Sequence, residues 1–234
     1  MNRSPTGVAP SDGSQRTGPA SNQVLELILP AERPSVAPLI VGLGGTTRAN
    51  STSERTLAKA LQAAEALGAR TQLFGGVLLS KIPIYDPATA DGSPELQAML
   101  EGVRQADGVI ICTPGYHGSV SGVIKNALDA LEGLRNDERP YFDGRAVGCI
   151  VTADGWQAGG TALATLRTVI HALRGWPTPL GVSFNVGASP LFDADGGFSQ
   201  ARDAGLIDAL ARQVVGFARM KAALAAQDSS DAPE

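Results

Sequence analysis

Short apolar stretches alternate along the chain with segments that carry an apolar residue every three to four positions. Five stretches have the length of strands, and several of them are apolar throughout, as expected for strands that are covered on both faces of a sheet. They span residues 38–43, 70–75, 107–114, 145–153 and 179–185. Five helical patterns follow them in turn, at 57–67, 96–103, 120–131, 163–173 and 206–217. This strict alternation predicts an α/β fold with a doubly wound parallel sheet.

The two ends of the chain differ from this pattern. Residues 1–22 are rich in Pro, Gly and Ser and carry few apolar side chains, so we predict a disordered tail. Residues 23–37 are predicted to be an arm or linker, and their apolar part, "QVLELILP" at 23–30, fits either an arm on a neighbouring subunit or a strand on its own domain. The folded domain is predicted to span 38–224, and the polar residues 225–234 a flexible tail.

Composition narrows the class of protein. A chain of 234 residues and 24.0 kDa, with 43% hydrophobic residues, is long enough for one domain with a sizeable core. A net charge of -4 argues against a dedicated nucleic-acid binder, which needs clustered Lys and Arg. Cys112 and Cys149 sit in apolar runs, which favours buried thiols in a reducing compartment. No stretch predicts a membrane span or a signal peptide, so we expect a cytoplasmic protein.

In doubly wound sheets the ligand lies at the carboxyl ends of the strands, where the strand order reverses. The loop after the first strand, "GGTTRANSTSER" at 44–55, combines glycines, five hydroxyls and Arg48 directly before a helix. Ser and Thr also cap helices for local reasons, but five hydroxyls with an arginine favour a phosphate site. A Walker loop is excluded because the loop has no lysine, and the dinucleotide fingerprint fails at Thr47.

Two further loops point to the same edge of the predicted sheet. After the third strand comes "TPGYHGSVSG", in which Pro114 and Gly115 end the strand and Gly118 allows a ligand to approach the backbone closely. After the fourth strand comes "TADGWQAGG" at 152–160, again with small residues and an aromatic before a helix. Together the three loops predict one crevice with a phosphate end and a planar end.

These motifs resemble the NADPH-dependent FMN reductase family of the flavodoxin-like superfamily. The resemblance covers about residues 38–185 and is most specific in "TPGYHGSVSGVIKNALD". It implies a flavodoxin-like three-layer sandwich with a five-stranded parallel sheet in the order 2-1-3-4-5. It also implies FMN as cofactor, NADPH or NADH as co-substrate, and a homo-dimer or homo-tetramer. The segment "IPIYDP" at 82–87 resembles a family segment near the site and a subunit interface.

The resemblance also implies which residues bind FMN. The first loop is expected to bind the FMN phosphate, through Thr46, Arg48, Ser51, Thr52 and Ser53. The second loop is expected to contact the flavin ring and the ribityl chain, at Pro114, Gly115, Tyr116, His117, Gly118 and Ser119. The third loop adds Asp154, Gly155 and Gly159. The chain departs from the family at 117, where relatives commonly carry asparagine.

The activity implied by the resemblance is hydride transfer from a reduced nicotinamide to N5 of FMN. This step needs no catalytic side chain and no metal, since the flavin carries the chemistry. Reduced FMN could be released to a partner monooxygenase, or FMN could stay bound and reduce quinones, azo dyes or metal oxyanions. A non-enzymatic flavodoxin-like electron carrier and a phosphate-binding module unrelated to flavin are the alternatives from other classes.

Overall fold

The computed structural model describes residues 37–88 and 92–230. The tail predicted for 1–22 and the arm predicted for 23–37, apart from Ala37, lie outside the described residues. Within the described ranges, no helix has both the length and the apolar content needed to cross a membrane.

A parallel sheet forms the middle layer of the domain. Its strands are β1 (Leu39–Gly44), β2 (Arg70–Gly75), β3 (Gly108–Pro114), β4 (Ala146–Ala153), β5 (Trp176–Pro177) and β6 (Val182–Asn185). The order across the sheet is β2-β1-β3-β4-β5, with β6 also paired to β4, and every pairing is parallel. The predicted order 2-1-3-4-5 is therefore confirmed.

The fifth position of the sheet is occupied by two short strands instead of the single strand predicted at 179–185. β5 pairs with the first two residues of β4, and β6 pairs with the last four. Between them Pro179 has no N–H to donate to the ladder, and Leu180 N–H donates instead to Gln213 Oε1 (3.0 Å). The N–H groups of Trp176 and Thr178 donate to Arg145 O and Val147 O, and the strand is interrupted where Leu180 N–H donates to Gln213 instead of to β4. The predicted span was wrong at its start because Trp176 and Pro177 precede it.

Helices cover both faces of the sheet. They are α1 (Thr52–Ala66), α2 (Gly76–Leu79), α3 (Pro94–Gln105), α4 (Gly122–Ala130), α5 (Trp156–Ala172) and α6 (Ala201–Ser230). The buried faces alternate along the strands: Ile40, Ile110 and Ile150 face α1 and α6, whereas neighbouring strand residues face α3, α4 and α5. This gives the three-layer sandwich, and each predicted helical pattern falls on one of the five long helices.

The last helix is longer than predicted. α6 continues to Ser230, so the tail predicted for 225–234 is helical over 225–230. The physical reason is the alanine-rich sequence that follows Lys221, because alanine has the highest intrinsic helix propensity. Low apolar content alone did not distinguish this helical extension from an irregular tail.

Arg145 is the largest fully buried side chain and holds the end of α3 against the segment before β4. Its guanidinium donates to the carbonyls of Ala106 (2.9 Å) and Arg104 (2.8 Å) at the α3 carboxyl end, and to those of Tyr141 and Asp143 (both 3.2 Å). Burial lowers the pKa of Arg145 to about 10, so the side chain stays charged at neutral pH. A cation at a helix carboxyl terminus also stabilises the helix dipole.

Replacing Arg145 with methionine should lower the free energy of unfolding by about 2–4 kcal/mol, because one buried and three partly buried carbonyls lose their donor. Guanidinium chloride unfolding followed by circular dichroism would measure the loss. The matched control is Arg135→Met, which removes an exposed Arg135–Glu132 ion pair and should cost less than about 0.5 kcal/mol. Equal effects of the two substitutions would contradict this role for Arg145.

Candidate functional site

The three predicted loops meet in one cavity at the carboxyl edge of the sheet. Its volume is about 640 Å³, within the usual range for small-molecule sites. Of the residues predicted from the sequence, it is lined by Thr46, Arg48, Ser51, Thr52, Ser53, Pro114, Gly115, Tyr116, His117, Asp154 and Gly155. β1 lies between β2 and β3, so the cavity stands at the point where strand order reverses.

Backbone hydrogen bonds join each loop to the neighbouring strand. Gly45 N–H donates to Cys112 O (3.2 Å) and Gly115 N–H donates to Thr152 O (2.8 Å). Val186 N–H, after β6, donates to Ala153 O (2.8 Å). These bonds extend the ladders past the strand ends, so the residues at the start of the loops are fixed to the sheet by backbone hydrogen bonds.

At the first loop, only one hydroxyl is needed to cap α1. Ser51 Oγ accepts the N–H of Glu54 (3.3 Å), and Asn50 N–H donates to the Glu54 carboxylate (3.1 Å). Ser53 Oγ is buried 3.3 Å from Ser51 Oγ, and one of the two hydroxyls donates to the other. Capping therefore explains Ser51 but leaves Thr52 and Ser53 as further donors at the amino end of a helix, where anions are favoured.

Thr46 and Arg48 form the outer part of this loop. Thr46 Oγ1 accepts Arg48 N–H (3.1 Å) and also lies 3.2 Å from Arg48 O, a local turn that fixes the loop. Within the described residues, the exposed Arg48 guanidinium makes no hydrogen bond or ion pair, and it lines the cavity. The hydroxyl of Thr46 thus shapes the loop, whereas the guanidinium is available to an anion.

The second loop makes a tight turn at residues 116–119. Ser119 N–H donates to Tyr116 O (3.0 Å), and His117 (φ 52°) and Gly118 (φ 79°) are both left-handed. Two successive left-handed residues are typical of a type I′ turn. Asparagine adopts this conformation more readily than most residues, which accounts physically for its occurrence at 117 in relatives.

Three residues predicted at the site do not line the cavity. Gly118 and Ser119 complete the turn behind Tyr116 and His117. Gly159 lies inside α5, where an added Cβ would collide with Ser183 Oγ of β6, so its role is close helix–sheet packing. Ser183 Oγ is buried and, among the described residues, has no hydrogen-bond partner.

The structure adds cavity residues that were not predicted from the sequence: Thr152, Ala153, Gln157, Ala158 and Val186. Four of them flank the predicted Asp154 and Gly155, and only their position in the loop after the fourth strand could have indicated that they line the cavity. Val186 follows β6, so applying the strand-end rule to the fifth strand would have found it. α5 begins after Gly155 without a side-chain cap, and Gly155, Gln157 and Ala158 at its start line the cavity.

The segment 82–87 lines a second cavity of about 210 Å³ instead of the main one. Asn126 of α4 holds it: Asn126 Oδ1 accepts Tyr85 N–H (2.8 Å) and Nδ2 donates to Pro83 O (3.0 Å). Asn126 belongs to the "KNALD" part of the motif. Its hydrogen bonds to the segment 82–87 give this part of the motif a structural role. Ile84 is 84% exposed.

The remaining candidate groups lie away from the cavity or are buried thiols. His171 is exposed in the last turn of α5, about 22 Å along the helix from Trp156 at its start. Burial raises the pKa of the Cys149 thiol to about 12 and that of Cys112 further. Among the described residues, no group of three or more His, Cys, Asp or Glu side chains could hold a metal ion.

Comparison with known proteins identifies the family of this chain. The family model described as NADPH-dependent FMN reductase matches residues 38–189. An NADPH azoreductase from Bacillus sp. (strain OY1-2) is 32% identical over 90 residues, which cover 38% of this chain and 47% of the relative. A quinone reductase from Escherichia coli K12 is 46% identical over 59 residues, 24% of this chain and 31% of the relative. The matches thus span less than half the length of these curated relatives.

A solved structure supports the fold. A flavoenzyme NAD(P)H:(acceptor) oxidoreductase from Paracoccus denitrificans superposes with a TM-score of 0.62 at 20% identity, covering 78% of this chain and 97% of that one. At this identity the similarity shows the arrangement of helices and strands and no more.

The turn at 116–119 generates a prediction about His117. His117→Asn should keep or raise FMN affinity, because asparagine tolerates the left-handed backbone, whereas His117→Val should weaken the turn and FMN binding. Quenching of FMN fluorescence on titration with protein measures both affinities. Full FMN binding with loss of turnover in His117→Asn would show instead that the imidazole takes part in the reaction.

Proposed function

Because the chain belongs to the NADPH-dependent FMN reductase family, we propose that it is an NAD(P)H-dependent flavin reductase with FMN in the cavity at the carboxyl edge of the sheet. The supporting observation is the convergence of three loops, one with hydroxyl and guanidinium donors and two with glycines and an aromatic. Such a cavity has one end for a phosphate monoester and another for a flat ring.

The donors at the first loop fit the FMN phosphate. Ser51, Thr52 and Ser53 lie at the amino end of α1, and Arg48 adds a positive charge from the loop. Hydrogen bonds to a charged group contribute about 1.5–3 kcal/mol each, so three or four of them are enough to anchor the phosphate.

The other two loops fit the ring and the ribityl chain. Gly115 packs so closely on β4 that an added Cβ would lie 3.0 Å from Ala153 Cβ and 3.3 Å from Ala158 O. Tyr116 is exposed beside Gly115, and Asp154 and Gly155 face the cavity from the third loop. The backbone of these loops would hydrogen bond to the polar edge of the ring, and Tyr116 would border it.

Bound FMN would accept a hydride from the reduced nicotinamide and pass the electrons to an acceptor. The residues of this chain would bind and orient the partners and need not transfer a proton in the first step. A third cavity, of about 330 Å³, shares Thr46, Arg48 and Tyr116 with the main cavity. It gives a co-substrate room beside the flavin.

The direct test is oxidation of NADPH and of NADH in the presence of excess FMN, followed by loss of the reduced nicotinamide absorbance. Turnover is expected with at least one of the two donors. Absence of turnover with both, while FMN still binds, would favour the non-enzymatic electron carrier. Absence of FMN binding would favour a phosphate-binding module unrelated to flavin.

Ser53→Ala should weaken FMN binding by about 10- to 150-fold, since it removes one hydroxyl donor to the phosphate while Ser51 Oγ keeps the N–H of Glu54 as its donor. Riboflavin, which lacks the phosphate, should bind the variant and the parent protein equally. The control is Ser80→Ala, which removes an exposed hydroxyl outside the cavity and should leave FMN affinity unchanged. A similar loss of riboflavin affinity would rule out a phosphate-specific role.

Two subtypes of the proposed reductase differ in their final electron acceptor. Similarity to proteins named azoreductase and quinone reductase favours retained FMN and reduction of quinones or azo dyes. Metal oxyanions belong to the same subtype, whereas release of reduced FMN to a monooxygenase is the other. Ping-pong kinetics with a bound yellow cofactor supports the first subtype, and a sequential pattern with weakly held flavin supports the second.

We further propose that the protein is a cytoplasmic homo-dimer or homo-tetramer. The buried free thiols Cys112 and Cys149 agree with a reducing compartment. The exposed Ile84 on a segment tied down by Asn126 is suited to contact with a second subunit.

Ile84→Glu should shift the oligomer toward monomer, because it places a charge at the centre of the proposed contact. Light scattering across a range of protein concentrations measures the shift. Val77→Glu, at another exposed apolar position, is the control and should not change the mass. An unchanged mass in Ile84→Glu would place the subunit contact elsewhere.

A further inference from the structure

The side of α6 that faces away from the sheet carries no charged side chain between Leu206 and Leu224. The opposite side of the helix is buried in the core. We define the outer face of α6 as Leu206, Ala209, Gln213, Gly216, Met220 and Leu224. A helix whose outer side meets only solvent normally has charged residues at such positions. The composition of the outer face is therefore that of a covered surface.

Large apolar side chains on and beside the outer face are exposed. Met220 is 47% exposed and Leu224 is 50% exposed. Next to them Trp176 of β5 is 61% exposed, and its ring centroid lies 6.0 Å from that of Phe217. An added Cβ on Gly216 would meet no neighbouring group of the described residues within 4 Å. The surface thus combines exposed apolar groups with open space at which another helix can approach closely.

Charges of both signs lie along the two flanks of the outer face. Asp203 and Lys221 share one flank, because they are about five helical turns apart. Asp208 and Arg212 share the other flank and are about one turn apart. Within the ranges that the structure describes, neither Asp203 nor Lys221 makes an ion pair.

This arrangement of charges is self-complementary. In two antiparallel helices related by a two-fold axis, each flank meets the same flank of the other helix. With the axis beside Arg212, midway along the first pair, Asp203 of each copy lies opposite Lys221 of the other. On the second flank, Asp208 and Arg212 of the two copies form a neutral group beside the axis. The flanks therefore favour an antiparallel pair of α6 helices.

The same alignment matches the uncharged residues between the flanks. Ala209 and Gly216 lie on opposite sides of the axis at nearly equal distances, so each meets the other residue of the second copy. Their small size allows the two helix axes to approach to the short end of the usual 8–10 Å range. Leu206 comes to lie beside Met220 of the second copy, and Trp176 widens the apolar contact.

We infer that the outer face of α6 binds the same face of a second copy of this chain, antiparallel about a two-fold axis beside Arg212. This contact and the one proposed at Ile84 lie on opposite faces of the sheet. A chain that uses both contacts forms a closed tetramer, and one that uses α6 alone forms a dimer. The inference is independent of the flavin chemistry, because no residue of the contact lines the main cavity.

Charge reversal tests the pairing. Lys221→Glu places two acids opposite each other at both ends of the contact, which should raise its dissociation constant about 10-fold or more. Light scattering over a range of protein concentrations measures the mass, which should fall by half. Asp203→Lys combined with Lys221→Glu exchanges the two charges and should restore the mass of the parent protein.

A second acid provides the matched control for this rescue. Lys221 also borders a groove with Asp107 and Asp143, so its reversal has a local effect as well. Asp203 lies about 27 Å away along the same helix, so only a second copy brings it to position 221. Lys221→Glu with Asp195→Lys has the same net charge, uses an exposed acid outside α6, and should not restore the mass.

Three results of these measurements would overturn the inference. A parent protein that is monomeric, or an unchanged mass in Lys221→Glu, would mean that another segment of the chain or a different protein covers the outer face. A loss of mass that Asp203→Lys does not rescue would trace the effect to the groove around Asp107.

Gly216 allows a test that does not depend on the flanks. Gly216→Glu has room in the single chain but places bulk and charge in the contact, so the mass should fall by half. Gly160→Glu, the same change at an open glycine of α5, is the control and should leave the mass unchanged. Loss of mass in the Gly160 variant alone would place the contact on α5 and overturn the inference.

Cross-linking tests the antiparallel direction. Ala209→Cys with Gly216→Cys should oxidise to a covalent dimer on a non-reducing gel, because within one chain the two positions are about 10 Å apart and too distant for a disulfide. Gly216→Cys alone should remain a monomer on the gel. The native Cys112 and Cys149 are buried and should not compete. A covalent dimer from Gly216→Cys alone would indicate parallel helices and overturn the inference.

Discussion

The parallel pairing of β1, β3 and β4 is the constraint on which the cavity depends. The register places Gly44 beside Cys112, and Pro114 beside Thr152, so each strand ends near the end of its neighbour. All three following loops must therefore begin at one edge of the sheet. The N–H groups of Gly45 and Gly115 continue the pairing by one residue, and the loop conformations start from fixed points. The proposed phosphate and ring ends of the cavity would be separated by the spacing of the strands, without a contribution from any side chain.

Close backbone approach supplies the second requirement of this edge. A Cβ on Gly76 would collide with the backbone of Thr46, and one on Gly44 would lie 2.6 Å from Cys112 O. The first loop can therefore lie flat between β2 and β3 only because both positions are glycine. This backbone contact brings the buried Ser51 and Ser53 to the cavity wall. The polar chemistry of the loop thus rests on residues that contribute no side chain.

The sequence indicated the architecture and most of the cavity because both follow from short-range patterns. Buried strands gave continuous apolar runs, and loop chemistry stood out directly after them. Gly159 packs against Ser183 and does not line the cavity, and a motif alone does not distinguish a residue that faces a ligand from one that allows helix–sheet packing. Val186 carries no chemical signal of its own, and only its position directly after the fifth predicted strand could have indicated it. The end of α6 was missed because small residues suit both a helix and an irregular tail.

The interruption of the fifth sheet position has a consequence for solubility. A sheet edge with a long row of unpaired N–H and C=O groups is a template on which other chains can assemble. Here Pro177 and Pro179 lack donors, and Leu180 N–H is already bonded to Gln213, so the exposed ladder is divided into two short pieces. Neither piece is long enough to seed the edge-to-edge growth that leads to aggregates. The two prolines of this edge thereby oppose the addition of a further strand.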